Sequence, residues 1–146
     1  MNIYINEESI LHIETLIVGL PEHINQLREI KYNNQSINEQ LETLKQHHII
    51  GSSVGKISST MFYTNNQPKR LLTVGLGNLK DLSYQRLLKV WGHTFQFLKQ
   101  EHINEAEVLL DTFISKYNDS IEVAKTFGLQ SYQSIYQFDN YKSYKK

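Results

Sequence analysis

Short apolar runs alternate along this chain with longer stretches in which apolar residues recur every three or four positions. The first pattern predicts buried strands and the second one-sided helices. Near the N-terminus, IYI (3–5) and ETLIVGL (14–20) read as strands rich in β-branched residues, the second stopped by Gly19 and Pro21. In YNNQSINEQLETLKQHHIIG, Ser36 followed by Glu39 matches a capping box, which satisfies two backbone N–H groups at a helix start. Ile37, Leu41 and Leu44 then share one helix face, and Gly51 is the expected terminator. KISSTMFYT (56–64) alternates as a strand does, NNQP breaks it, and RLLTVGL (70–76) is the near-continuous run of an interior strand covered on both sides.

The next helix is predicted to begin at Ser83, with Leu82 and Leu87 as a hydrophobic staple across the cap. Tyr84, Leu88, Trp91, Phe95 and Leu98 give it a broad apolar stripe. EVLLDTF (107–113) reads as another buried strand. Asp119 with Glu122 forms a second capping box, and Ile121, Ala124, Gly128, Tyr132 and Ile135 continue as a helical stripe. An interior glycine costs a helix about 1 kcal/mol against alanine, so Gly128 is expected to pack closely against a neighbour. Strands alternating with helices in this order predict an α/β layer structure with a partly parallel sheet.

Composition narrows the function classes. The 146 residues suit one ordinary domain with a real core. Fifteen basic residues balance fifteen acidic ones, so no global field draws the chain to nucleic acid or to an anionic membrane. With no cysteine there is no disulfide framework, thiolate metal site or cysteine nucleophile, in keeping with a reducing cytoplasm. Glu7, Glu8 and Glu14 stand where a signal peptide needs a basic start and an apolar run, and no segment approaches the roughly 20 apolar residues of a membrane span.

Gly75-Leu76-Gly77, between an apolar run and a helix, invites comparison with nucleotide-binding turns. A dinucleotide fingerprint needs a third glycine where this chain has Lys80, and the helix starts about six residues too late for its dipole to reach a phosphate at Gly77. The turn is therefore read as architectural. His12, His23, His47, His48, His93 and His102 show no metal-ligand spacing, and His47 and His48 close a helix where a cation suits the dipole. Of the four aspartates (Asp81, Asp111, Asp119 and Asp139), Asp119 is a cap and Asp111 interrupts an apolar strand, which a place at the sheet edge or a bond to a loop would explain. Ser52, Ser53, Ser58 and Ser59 form no nucleophile elbow. Lys142, Lys145 and Lys146 interleaved with Tyr141 and Tyr144 resemble a solvated linker more than a nucleic-acid surface. No catalytic, cofactor-binding or metal-binding residue is assigned.

Three segments taken together resemble the N-terminal domain of the leucyl (cytosol) aminopeptidases: LLTVGLGN (71–78) with its Ser-capped helix, VLLDTF (108–113), and AKTFGLQSYQSIYQFDNYKS (124–143). The Gly128, Phe138-Asp139, Tyr141-Lys142-Ser143 array is the most specific part, and order and spacing agree over residues 70 to 143. The resemblance implies a macro-like α/β fold, a mixed β-sheet flanked by helices on both faces, over residues 1–140, with 141–146 starting a linker to a catalytic domain outside this chain. It implies a cytoplasmic hexameric parent enzyme that releases N-terminal residues, preferably leucine, from peptides. Two divalent ions, zinc or manganese, would there activate water and polarise the scissile carbonyl. The implied partners are the catalytic domain, neighbouring subunits and peptide substrates. The family's metal ligands lie in the catalytic domain, in a motif like Asn-Thr-Asp-Ala-Glu-Gly-Arg that this chain lacks, so the chain alone is expected to be inactive. The alternative is a stand-alone macro-like module for ADP-ribose or a related nucleotide, with Gly75–Gly77 and Gly51–Gly55 as phosphate loops.

Overall fold

The computed structural model describes residues 2–6, 15–27, 29–32, 35–64 and 67–145. Strands β1 (Asn2–Asn6), β2 (Thr15–Pro21), β5 (Ile57–Thr64), β6 (Gln67–Gly77) and β7 (Glu105–Leu109) form one sheet in the order β1-β7-β2-β6-β5. All neighbours are parallel except β5, which runs antiparallel to β6. β3 (Lys31–Tyr32) and β4 (Gln35–Ser36) make a separate small hairpin. Helices α1 (Asn38–Gln46), α2 (Tyr84–Gln100) and α3 (Ser120–Lys145) complete the domain, which is α/β as expected.

Alternate residues of each inner strand feed two cores. Leu16, Val18, Leu20 and Leu71 pack with Ile37 and Leu41 of α1 on one face. Ile17, Leu72, Val74 and Val108 pack with α2 and α3 on the other. This double cover explains why β2 is buried at every position and reads as an unbroken apolar run. Trp91 centres the second core, 4.2 Å from the Phe113 ring and 5.2 Å from Phe127, which meets it edge-on.

Several local expectations are corrected. Ser36 is no helix cap: it pairs with Lys31, and α1 begins after Ile37 without a side-chain cap. The backbone there is tied sideways instead, Ile30 N–H donating to Asn38 Oδ1 at 2.7 Å and Ile37 N–H to Ile30 O at 2.9 Å. The terminator of α1 is His48 rather than Gly51. His48 takes φ +58°, and the N–H groups of His48 and Ile49 bond back to Lys45 O and Leu44 O. α2 closes identically through His102 (φ +54°) and Ile103. Both ends are Schellman turns with histidine where glycine is usual.

In α2, Ser83 Oγ accepts the Arg86 N–H at 3.2 Å, and Leu82 and Leu87 are buried as the staple requires. The stripe is rotated from the expected one: Leu87 and Val90 join Trp91, Phe95 and Leu98 inside, whereas Tyr84 and Leu88 lie at the margin. The 107–113 strand stops at Leu109, and Leu110–Phe113 is a 3-10 turn. Thr112 causes the stop, because its Oγ donates to Leu109 O and accepts from Gly19 N–H, folding the chain back on β2. Asp119 does cap α3, with Oδ1 accepting the Glu122 N–H at 2.9 Å. The stripe on that helix faces outward: Ile121 is 64% and Tyr132 69% exposed, and Val123, Thr126 and Phe127 face the core. Gly128 is exposed, and among the described residues nothing lies within 4 Å of the position of an added Cβ, so the close packing expected of it is not found there. The Ile135 side chain lies outside those described.

Candidate functional site

The Gly75–Gly77 turn is made by close backbone approach. A Cβ on Gly75 would stand 1.9 Å from Ser53 O, and Gly77 has φ +67°. Gly75 N–H donates to Lys56 O at 2.7 Å, Gly77 N–H to Ser52 O at 2.7 Å, and Gly55 N–H to Gly75 O at 2.9 Å. Gly77 O accepts the Glu22 N–H at 2.8 Å, joining the ends of β2 and β6. The amides that would have to cradle a phosphate are thus committed to the 52–56 loop, which fills the space beside the turn. Both glycine segments of the nucleotide alternative are spent on each other.

A different crevice forms where the parallel strands end. β2 leaves the sheet toward the α1 face, and its neighbours β6 and β7 leave toward the α2–α3 face. Such a divergence is where open α/β sheets characteristically open a cleft. A cavity of about 250 Å³ lies there, lined by Pro21, Gln26, Leu27, Leu79, Asp111, Thr112 and Ile114. Asp111 therefore belongs to a turn at the cleft rather than to an interrupted strand. The lining is mainly aliphatic, and the Thr112 hydroxyl is already used within the fold. The other polar side chains of the lining are the Asp111 carboxylate and the Gln26 amide, and the lining holds no nucleophile–base pair to carry a reaction.

The other candidates scatter. His23 precedes a short 3-10 turn, His47 and His48 close α1, His102 closes α2, and His93 packs beside Gly55. His12 lies outside the described residues. Asp81 sits in the 3-10 turn before α2, and Ser59 accepts a hydrogen bond from Arg70 Nε at 3.0 Å. Asp139 and the Tyr141–Lys146 cluster have no described side chains. Among the described residues no three His, Asp or Glu side chains stand together as a metal site, and no helix is long and apolar enough to cross a membrane. Sequence reading missed the cleft because its walls come from three segments distant in the chain.

The architecture defines a two-faced α/β domain whose glycine turn and caps serve the fold. The sequence model of the cytosol aminopeptidase family, N-terminal domain, matches residues 17–145. The chain belongs to that family, as this N-terminal domain, and the match runs from within β2 to the end of α3.

Proposed function

We propose that the chain is the non-catalytic N-terminal domain of a two-metal leucyl aminopeptidase, cytoplasmic and hexameric, whose parent enzyme releases N-terminal leucine and similar residues from peptides. The family match over residues 17–145 is the observation that carries this reading. The described carboxylates and imidazoles do not fit a divalent-metal centre, since no three of them converge. No reaction step is therefore assigned to this chain. Its part is shape and contact within the assembly, with residues 1–140 as a macro-like domain and 141–146 starting the linker.

The direct test is incubation of the purified chain with leucine p-nitroanilide and manganese or zinc. No turnover is expected, and metal-dependent release of nitroaniline by this chain alone would overturn the assignment. Sequencing the reading frame past Lys146 tests the rest. A further segment of about 300 residues, the size of one large or two ordinary domains, carrying the two-metal motif is the expected result.

A further inference from the structure

Among the described residues, the outer edge of β5 is partly plugged and partly open. β5 ends the sheet on its side, and β6 occupies only its inner edge. In an antiparallel pair, alternate residues turn their backbone N–H and C=O toward the neighbour and the others away. Tyr63 is one that turns away. Its N–H donates to Gln40 Oε1 at 3.0 Å and its C=O accepts from Gln40 Nε2 at 2.8 Å. The α1 side-chain amide thus occupies the place an added strand would take. By the same alternation Ile57, Ser59 and Met61 direct their backbone groups outward.

Edges of this kind are normally guarded by charge, proline or brevity. β5 has eight residues, none of them charged or proline, and Met61 is 48% exposed. We propose that this open stretch, Ile57 to Met61, pairs with the same stretch of a second copy, antiparallel across a twofold axis at Ser59, with Gln40 as the stop that limits the pairing. The order of side chains favours a copy of itself as the occupant. Ile57, Ser59 and Met61 share one face and run apolar, polar, apolar, so the twofold sets Ile57 against Met61 of the other copy and Ser59 against Ser59. The pairing forms about six backbone hydrogen bonds and joins two sheets into one. Extension beyond Met61 requires displacement of the Gln40 amide from Tyr63, so the ladder stays short. The inference is independent of the family assignment, and neither falls with the other.

Sedimentation velocity on the whole chain, from low micromolar to near-millimolar concentration, reads the outcome. An interface this small is weak, so a dimer is expected to grow in only toward the upper end. Met61→Lys, at an exposed site, is expected to remain monomeric throughout with an unchanged unfolding midpoint. Ser59→Pro removes the outward N–H without touching the backbone bonds to β6 and is expected to behave alike, whereas Ser59→Ala, which like proline loses the bond from Arg70 Nε, retains the dimer. Gln40→Ala frees the Tyr63 backbone for a longer ladder across the same twofold and is expected to shift the onset of the dimer to lower concentration. A wild-type chain that stays monomeric at the highest concentration, or a Met61→Lys variant that dimerises as the wild type does, overturns the pairing. A Gln40→Ala variant that dimerises no more tightly than the wild type overturns the role of Gln40.

Discussion

Helices α2 and α3 lie side by side on one face of the sheet, and each carries apolar residues at helical spacing. α2 turns its stripe inward, whereas α3 turns outward the stripe of Ile121, Ala124, Gly128 and Tyr132 and buries Val123, Thr126 and Phe127. Trp91 accounts for the difference. A buried indole needs an acceptor for its N–H, and Thr126 Oγ supplies one at 3.0 Å while donating its own proton to Val123 O at 2.8 Å. The Ile121–Gly128 side has no side-chain oxygen to offer. One polar requirement on α2 thus fixes the rotation of α3 against the count of apolar positions. The largest test is removal of its source. Trp91→Ala empties the centre of the aromatic cluster and is expected to cost about 3–5 kcal/mol, read as a lowered urea midpoint. A loss under 1.4 kcal/mol, a factor of ten in the folding equilibrium, would deny Trp91 its place as the anchor between the helices.

Thr126→Val sharpens the same point, because it keeps the shape and removes the acceptor. The indole N–H is then buried without a partner, and the expected loss is about 1–3 kcal/mol, accompanied by a shift in tryptophan fluorescence. Thr126→Ser retains the oxygen and should recover most of the loss. A Thr126→Val variant as stable as the wild type would mean that packing by Phe127, not the hydrogen bond, orients α3.

The same contrast separates what was legible in the sequence from what was not. β2 and β6 were legible because double cover leaves few polar positions in the run, the buried Thr15 and Thr73 being the exceptions. The caps at Ser83 and Asp119 were legible because each needs only residues within one turn. Ser36 failed because the hairpin of β3 and β4, unseen in the pattern, claims it first. The ends of α1 and α2 failed because histidine, not glycine, occupies the left-handed position. The strand through Asp111 failed at Thr112, whose hydroxyl bonds to Gly19, 93 positions away. The Gly75–Gly77 turn was read as architectural, but the loop that demands glycine there is visible only in three dimensions. The cleft is of the same kind, since its walls meet through topology alone.

Gly128 gives the smallest effect and the opposite sign. On sequence grounds the glycine called for a close neighbour, yet a methyl group there meets nothing within 4 Å. Its backbone is ordinary helix, so alanine takes the same conformation and lowers the entropy of the unfolded chain. Gly128→Ala is therefore expected to stabilise the chain by about 0.5–1 kcal/mol, measured as a raised thermal midpoint with unchanged helix content. α2 offers the complementary case: its interior glycine, Gly92, has the Gln130 side chain 3.7 Å from the position of an added Cβ, an ordinary contact distance. Neither glycine is thus held by steric need among the described residues. A Gly128→Ala variant that lost stability would show that another surface closes over the Ile121–Tyr132 face in solution, and the outward rotation of α3 would then be that of one half of a helix contact.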